Sequence, residues 1–320
     1  MSGDTTRDTR VGFIGVGHMG KHMAASLIRD GFDLVVHDQR AEAASEPEVQ
    51  GATWADSPAQ VARLSRTVFM SLPGPAQVEQ VVLGEDGTLV GSRPGDVYVD
   101  MSTSTPACIR GIADQVRSAG VRVADAPVAG GMRGARKGTL TIMVGADREV
   151  FDIARPYLDA MGEHIVRVGD VGAGHAAKLV NNMMTIGNGI IAMEAMVFGA
   201  KAGLDLQVLL DVVRAGTGDS YSLNAFPYVI FKGNFDPPKF ALSLAAKDLR
   251  ISAESAASLG VHLTVVPFIE QAMVNAAAQG LSERDWTSYI TLLEGQAGVV
   301  VRVPEGDRDD ASNPQSAPGA

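Results

Sequence analysis

Three closely spaced glycines could form a turn that binds phosphate. Gly15, Gly17 and Gly20 fit the spacing G-x-G-x-x-G, after a short apolar run and before a helical pattern. In such a turn the first glycine permits the tight bend, and the second lets backbone N–H groups approach a pyrophosphate. The third lets the helix pack closely on the strand. A structural glycine turn is the alternative, but the flanking strand and helix favour a dinucleotide-binding turn.

A carboxylate at the end of the next predicted strand could select the cofactor. Asp38 follows the strand 33–37, where an acidic side chain can accept hydrogen bonds from the adenosine ribose hydroxyls of NAD. The same charge repels the 2′-phosphate of NADP. Arg40 could attract that phosphate, or it could be a solvated loop cation. NAD is therefore the favoured cofactor and NADP the less favoured one.

A lysine in the second half of the chain could move a proton. Lys178 and Asn182 are four residues apart, so on a helix they share one face. Beside a bound nicotinamide, the lysine could take the proton of a substrate hydroxyl as hydride leaves its carbon. Asn182 could hold the lysine or the substrate through its amide. A solvated surface cation is the alternative for Lys178, and His175 is expected to pack or cap near the helix start.

Two further segments could contact a substrate. Gly130 and Gly131 follow a predicted strand, and paired glycines can present bare backbone N–H groups to a carboxylate. A plain glycine loop is an equal alternative. Lys247 and Asp248 could form a buried pair that bridges to the site, but on spacing alone a surface ion pair of little energetic value is favoured.

The elements that must position these residues change character along the chain. Strands alternate with helices over about the first half, which predicts βαβ units in a doubly wound, mostly parallel sheet. Long helical patterns dominate afterwards, which predicts an all-α domain entered through a long apolar helix. The predicted organisation is a polar N-terminal tail at 1–10, a dinucleotide-binding domain at 11–174, an all-helical substrate and oligomerisation domain at 175–302, and a disordered tail at 303–320.

Composition excludes several other classes of protein. The chain has 320 residues, a net charge of −10 and 46% hydrophobic residues, which suits two packed domains and disfavours nucleic-acid binding. The single Cys108 excludes an intramolecular disulfide. No apolar signal core begins the sequence, so a cytoplasmic location is the default expectation. The apolar run Met183–Ala200 approaches bilayer length, but interior polar residues favour a helix buried between domains or subunits, and no membrane partner is expected.

Taken together, the motifs resemble those of the β-hydroxyacid dehydrogenase family, which includes 3-hydroxyisobutyrate dehydrogenase and tartronate semialdehyde reductase. The resemblance covers about residues 10–300. It rests on the glycine turn, the segment Asp125–Gly131, the segment from Gly172 to Asn182, and Lys247-Asp248-Leu249, in the family's order. The Asp100-Met101-Ser102-Thr103 segment also matches a turn beside the cofactor in that family.

The resemblance implies a Rossmann-type domain, then an all-helical domain, with the active site in the cleft between them and a homodimer or homotetramer formed through the long helix. It implies that Lys178 is the general acid/base and that no metal is needed. The candidate substrate-binding residues are Ala129, Gly130, Gly131, Asn182 and Lys247. The candidate cofactor-binding residues are Gly15, Gly17, His18, Met19, Gly20, Asp38, Leu72, Pro73, Ser102, Thr103 and Lys247.

Two departures from the family pattern affect specificity. Ala129 stands where the family usually has Ser, so one hydroxyl donor to the substrate carboxylate is lost, worth roughly 0.5–1.5 kcal/mol. Gln39 stands where NADP-preferring members carry Arg, which strengthens the expectation of NAD.

The sequence therefore predicts an NAD-dependent oxidoreductase that transfers hydride between the cofactor and a small 3-hydroxy acid or its semialdehyde. An imine or ketone reductase of the same fold is the enzymatic alternative, and Lys178 argues against it because imine reductases usually lack this lysine. The 6-phosphogluconate dehydrogenases are much longer. A non-catalytic NAD(H)-binding protein would have no use for Lys178 beside Asn182.

Overall fold

A computed structural model of the chain describes residues 9–303. These residues form two compact units that divide between Val180 and Asn181, whereas the sequence placed the division at residue 174. The predicted tails lie outside the described residues, apart from residues 9, 10 and 303.

The first unit is built on one nine-stranded sheet, as the alternation of strands and helices predicts. Strands β1 to β6 are parallel in the order β3-β2-β1-β4-β5-β6, so β2 and β3 lie on one side of β1 and β4 to β6 lie on the other. The order is that of a doubly wound dinucleotide-binding fold, in which ligands bind at the carboxyl ends of the strands. The strands are β1 Arg10–Ile14, β2 Asp33–His37, β3 Thr53–Trp54, β4 Thr67–Met70, β5 Val97–Asp100, β6 Arg122–Asp125, β7 Val128–Ala129, β8 Leu140–Gly145 and β9 Gly162–Gly169.

Helices cover both faces of this sheet because the central strands are apolar on both sides. All four residues of β4 and all four of β5 are buried, the pattern expected of parallel strands between two helical layers. The two resulting cores contain Phe13, Met23 and Leu27 on one side and Ile14, Tyr98 and Ile109 on the other. The α-helices of the first unit, up to the long helix, are α1 Gly20–Arg29, α2 Pro58–Leu64, α3 Pro75–Leu83, α4 Thr88–Gly91, α5 Pro106–Val116, α6 Gly131–Lys137 and α7 Arg148–Met161.

The far edge of the sheet is more complex than the sequence analysis expected. Strand β8 pairs antiparallel with β6 and β7, and β9 then pairs parallel with β8. Strand β9 was not predicted, since most of its residues are half-buried or exposed and it lacks the apolar run that marks the central strands. The fold remains mostly parallel with an antiparallel edge, a common variation of this architecture.

The second unit is helical, and its described residues contain no strand beyond one isolated bridge, between Ala241 and Asp285. Its core includes Met193, Phe226 and Leu249. Gly189 allows close packing because a Cβ atom there would overlap the Trp286 ring. The α-helices are α8 Ala173–Lys201, which begins in the first unit, then α9 Leu206–Ala215, α10 Tyr221–Asn224, α11 Leu242–Ser258, α12 Val265–Ala276 and α13 Ile290–Ala297.

Helix α8 is the one helix in the described part of the chain that is long and apolar enough to cross a membrane, judged by length and composition. Of its most apolar 18-residue window, 44% is buried, and the core helix of a soluble protein has the same character. Some residues, such as Met193, are fully buried. Met184, Ile191 and Phe198 are 58%, 61% and 75% exposed, and their spacing of seven residues places them along one face.

Candidate active site

The three glycines of the β1–α1 turn are required for different reasons. Gly15 has a φ of +89°, in the left-handed region that favours glycine. A Cβ on Gly20 would overlap the carbonyl oxygen of Gly15, so Gly20 lets α1 pack against the turn. A Cβ on Gly17 would meet nothing within 4 Å. Packing within the protein therefore explains Gly15 and Gly20, whereas the open space at Gly17 fits a bound pyrophosphate that approaches the backbone.

The carboxylate of Asp38, which could select between NAD and NADP, is hydrogen-bonded to this turn. Asp38 Oδ2 accepts a hydrogen bond from the backbone N–H of Val16 at 2.9 Å. Its Oδ1 accepts one from the backbone N–H of Arg40 at 2.9 Å and one from the Arg40 guanidinium at 3.3 Å. The Asp38 side chain is 10% exposed and that of Arg40 is 50% exposed. The carboxylate is thus held at the edge of the turn, and the cation that could attract a 2′-phosphate is paired with it.

The residues around the start of α1 complete the turn. His18 is exposed and Met19 is half-buried, and the first turn of α1 carries no acidic side chain that would repel a phosphate. Lys21 Nζ lies 2.9 Å from Glu46 Oε2, and this hydrogen bond raises the pKa of Lys21. The Lys21 ammonium group is therefore paired with the Glu46 carboxylate of the protein itself.

A second set of predicted cofactor contacts lies at the carboxyl ends of β4 and β5. The backbone N–H of Leu72 donates to Ser102 Oγ at 2.9 Å, and the backbone N–H of Ser102 donates to Asp100 Oδ1 at 2.9 Å. Pro73 is exposed and Thr103 is half-buried. The predicted contacts at 72–73 and 102–103 are thus joined by a hydrogen bond, since β4 and β5 are neighbours in the sheet.

Two buried carboxylates hold the start of helix α8. Asp125 Oδ1 accepts from the backbone N–H of Gly172 at 2.6 Å, and its Oδ2 accepts from that of His175 at 2.7 Å. The His175 Nε2 atom lies 3.1 Å from Asp100 Oδ2, and all three side chains of this group are fully buried. Burial raises the pKa of the Asp125 carboxyl, and the opposing effects of His175 and Gly172 limit the rise.

The glycines around α8 make this close approach possible. A Cβ on Gly174 would overlap the Met143 carbonyl oxygen, and one on Gly145 would overlap an oxygen of Asp125. Gly172 has a φ of +91° and lies against Arg110, whose Nε donates to the Val171 carbonyl at 3.0 Å. These glycines are explained by the docking of α8 on the sheet, without a ligand.

Lys178 lies one turn beyond His175 on the same helix and is half-buried. Residues three apart on a helix are neighbours on its surface. The position of Lys178 in the first unit therefore depends on the two carboxylates that hold the first turn of α8. Asn182 follows on the same helix, four residues later, in the second unit.

The predicted substrate glycines begin a short helix. Gly130 has a φ of +116° and Gly131 a φ of +59°, so both occupy backbone conformations that other residues rarely adopt. A Cβ on Gly131 would meet nothing within 4 Å. Ala129 is half-buried and pairs with Thr141 of β8. The backbone at 130–131 is accordingly open to an approaching ligand.

In the second unit, Asn182, Asp248 and Lys247 form one connected group. Asn182 Nδ2 donates to Asp248 Oδ2 at 2.6 Å, and Asn181 Nδ2 donates to Asn182 Oδ1 at 3.1 Å. Lys247 Nζ lies 3.2 Å from Asp248 Oδ1, and the Asp248 side chain is 4% exposed. The expectation of a surface ion pair is therefore wrong, because the carboxylate is buried and is shared between the lysine and the amide.

Two carboxylates that organise these sites, Asp100 and Asp125, were not among the candidate residues, and a third, Asp248, was considered only as the partner of Lys247. Asp100 ends the predicted strand 96–100, Asp125 follows the predicted extended segment 121–124, and Asp248 follows a candidate lysine. Acidic residues at the carboxyl ends of adjacent strands were the available signal. Within residues 9–303, no cluster of three or more His, Cys, Asp or Glu side chains is arranged to hold a metal ion.

Comparison with known proteins connects both units to one group of enzymes. Residues 10–169 match the NAD binding domain of 6-phosphogluconate dehydrogenase, and residues 172–293 match the family described as NAD-binding of NADP-dependent 3-hydroxyisobutyrate dehydrogenase. The 2-(hydroxymethyl)glutarate dehydrogenase of Eubacterium barkeri is 36% identical over 92% of this chain and 98% of its own length. The 2-hydroxy-3-oxopropionate reductase of Escherichia coli is 35% identical over 89% and 97%.

Solved structures agree with this similarity. The 3-hydroxyisobutyrate dehydrogenase of Mycobacterium tuberculosis, solved with L-serine, is 30% identical with a TM-score of 0.83, over 89% of this chain and 99% of that one. An imine reductase from Pseudomonas sp. has a TM-score of 0.56 at 19% identity, over 89% and 99%. At that identity the likeness extends to the fold alone.

Proposed function

The chain belongs to the β-hydroxyacid dehydrogenase family of NAD(P)-dependent oxidoreductases, and from that premise we propose that it oxidises a small 3-hydroxy acid, or reduces the matching semialdehyde, with Lys178 as general acid/base. The observation that carries the proposal is the anchoring of Lys178. The helix that bears it is held by Asp100 and Asp125, which end adjacent strands of the cofactor-binding sheet. An enzyme needs this fixed relation between base and cofactor, because proton and hydride leave the same substrate.

The residues present fit the cofactor, on the evidence of the open backbone at Gly17 and the fixed Asp38 carboxylate. Bound NAD would accept a hydride from the carbinol carbon in the oxidative direction. The Lys178 amine takes the hydroxyl proton as the C–H bond breaks, so that the products are the aldehyde, NADH and a proton. In the reverse direction the Lys178 ammonium protonates the developing alkoxide.

NAD is the proposed preferred cofactor. Asp38 would repel the 2′-phosphate of NADP, and Arg40 is paired with Asp38. Gln39 is exposed and uncharged, so it offers no charge to a phosphate. Recognition of the adenosine ribose would therefore depend on Asp38.

The proposed substrate class is a short acid with a primary alcohol at C3 and a variable group at C2. The names of the relatives support this choice, since 2-(hydroxymethyl)glutarate and 3-hydroxyisobutyrate carry a primary alcohol at C3, 2-hydroxy-3-oxopropionate carries the matching aldehyde there, and the three differ at C2. Gly130 and Gly131 would bind the carboxylate through backbone N–H groups, with Asn182 and Lys247 as further contacts. Ala129 lacks a hydroxyl, so the carboxylate would rely on these groups.

A second copy of the chain is the proposed partner of the exposed face of α8. Met184, Ile191 and Phe198 are exposed along one side of that helix, and large apolar residues exposed on one surface are typical of protein interfaces. A homodimer or homotetramer in light scattering, converted to a smaller species by Phe198→Glu, would support this assembly.

The experiment that tests the function follows cofactor reduction by absorbance, with NAD and NADP separately. The substrates are 3-hydroxyisobutyrate, glycerate, serine, threonine, 3-hydroxypropionate, 4-hydroxybutyrate and bulkier 3-hydroxy acids. We expect turnover of a C3 primary alcohol with NAD, and its loss in Lys178→Ala with NADH binding retained. Unchanged turnover in Lys178→Ala would exclude this lysine as the base. If none of the acids is turned over while NADH still binds, the proposed substrate class is excluded. Imines and larger carbonyl compounds would then be tested as substrates.

A further inference from the structure

Asp100 and Asp125 occupy equivalent places at the carboxyl ends of neighbouring strands. They are register partners in the parallel pair β5–β6, and both side chains are fully buried. Side chains that are paired in this way lie on the same face of the sheet. Both reach the first turn of α8, where negative charge is favourable because the helix dipole is positive there.

His175 connects these two carboxylates, through its backbone to Asp125 and through its side chain to Asp100. The Nε2–H donates to Asp100 Oδ2, because a carboxylate can only accept. Its Nδ1 is buried and has no hydrogen-bond partner among the described residues. A residue that served only to fill space would not need a polar atom in this position, since a buried polar group without a partner is costly.

The hydrogen bonds continue from Asp100 to the predicted nicotinamide side of the cofactor site. Asp100 Oδ1 accepts from the Ser102 backbone, and Ser102 Oγ accepts from the Leu72 backbone. A continuous path therefore runs from Leu72 and Ser102, through Asp100, to the helix turn that precedes Lys178. Every residue of this path lies in the first unit.

We propose that His175 is a positioning residue for hydride transfer. Its bond to Asp100 fixes the distance between the turn at Ser102, beside the nicotinamide, and the amine of Lys178. This inference rests on the proposed role of Lys178 as the general acid/base. His175 would act through Asp100 and Lys178, without contact with the substrate.

The test compares His175→Leu with His175→Gln. Leucine removes the donor, whereas the glutamine amide can place an N–H near the position of Nε2 and donate to Asp100. For His175→Leu we expect kcat to fall roughly tenfold to a hundredfold, since a misplacement of about 1 Å can cost that much in rate. NADH affinity should stay within about threefold, because Gly17 and Asp38 follow other strands, β1 and β2, and independent sites contribute separately. His175→Gln should recover kcat to within about threefold of the wild type.

Two parallel variants separate this inference from simpler explanations. Ser65→Ala also deletes a buried side-chain hydrogen bond in the first unit, from Ser65 Oγ to the Val61 carbonyl at 2.7 Å, and it should lower the melting temperature without lowering kcat. Lys178→Ala tests the premise. If Lys178→Ala retains turnover, the proposed function fails. If Lys178→Ala is inactive while His175→Leu keeps the wild-type kcat, this inference alone is overturned.

Asp100→Asn supplies a second route if His175→Leu does not fold. The substitution keeps the shape of the side chain but cannot accept from both His175 and the Ser102 backbone, so kcat should fall at least about fivefold. Where His175→Leu folds, the two losses should not add in the double variant His175→Leu/Asp100→Asn, because both residues act through one bond. A wild-type kcat in Asp100→Asn, or no recovery in His175→Gln, would overturn the positioning role.

Discussion

The side-chain amide of Asn182 donates a hydrogen bond of 2.6 Å to the carboxylate of Asp248, and both side chains are buried. We predict that Asp248→Ala lowers the free energy of unfolding by about 1–3 kcal/mol, since the buried amide loses its acceptor. The KM for the hydroxy acid should also rise, because Asn182 would no longer be held. Urea unfolding and steady-state kinetics measure these two effects.

A surface pair of the same residue types is the control for that prediction. Asn224 Nδ2 donates to Asp219 Oδ1 at 2.7 Å, and this pair is exposed. Asp219→Ala should change the free energy of unfolding by less than about 0.5 kcal/mol. Equal effects of Asp248→Ala and Asp219→Ala would contradict the importance of burial.

Gly17→Ala and Gly20→Ala should separate cofactor binding from folding. Gly20→Ala is expected to destabilise the protein by about 1–3 kcal/mol, because its methyl group would overlap the Gly15 carbonyl oxygen. Gly17→Ala should fold with a near-normal melting temperature and bind NADH at least about tenfold more weakly, since its methyl group would occupy the space left for the pyrophosphate. Thermal unfolding measures the loss of stability, and NADH fluorescence titration measures the loss of cofactor affinity. Normal NADH affinity in Gly17→Ala would refute the placement of the pyrophosphate at Gly17.

Asp38→Ala should weaken the discrimination against NADP. The change removes the repulsive carboxylate and releases the Arg40 guanidinium from its 3.3 Å pairing. We expect the ratio of kcat/KM for NAD to that for NADP to fall at least about tenfold. Asp33→Ala is the matched control, because Asp33, the first residue of β2, also pairs with an arginine, Arg10 of β1, whose Nε lies 2.7 Å from Asp33 Oδ2. A ratio that shifts equally in both variants would exclude a specific role for Asp38.

The protein should lose stability as the pH falls through the range of His22. Burial, followed by the charge of Arg136, lowers the pKa of His22 from its ordinary value of 6.5. The unfolded chain therefore binds more protons below about pH 6.5, so acidification favours unfolding. Between pH 7.5 and 5.5 this residue should remove up to about 1.4 kcal/mol.

His22→Gln provides the comparison. The glutamine oxygen can still accept the hydrogen bond that Arg136 Nε gives to His22 Nε2 at 3.1 Å, but glutamine does not titrate. Urea unfolding at the two pH values should show a smaller loss in His22→Gln than in the wild type. Identical losses would assign the pH dependence to other groups.

Local patterns in the sequence were sufficient to predict most of the first unit. Strand β2 was predicted at its observed bounds, and the helical pattern at 21–29 predicted α1 to within one residue, because apolar runs and glycine turns are local signals. The parallel direction of the central strands followed from the alternation of strands and helices, but their order in the sheet was not predicted. Strand β9 was not predicted because a strand at the edge of a sheet need not be apolar.

Burial caused by distant packing could not be predicted in the same way. Lys247 and Asp248 suggest a surface pair when only their neighbours in sequence are considered, yet Asp248 is buried against Asn182, 66 residues away in the chain. Gly172 and Gly174 belong to a motif of the family, but the reason for them is the approach of α8 to Asp125. Only the assembled fold shows that these glycines support the helix.

The order of the strands separates two sets of positions on which selection can act. Asp38 follows β2, whereas Asp100 ends β5, three strand intervals away, or about 14 Å. Effects of substitutions at such a separation are usually additive. A descendant of this enzyme could therefore change its preference between NAD and NADP through substitutions near residues 38–40. Compensating substitutions among the residues of proton transfer would not be needed. Cofactor preference and catalytic chemistry can thus evolve independently of each other.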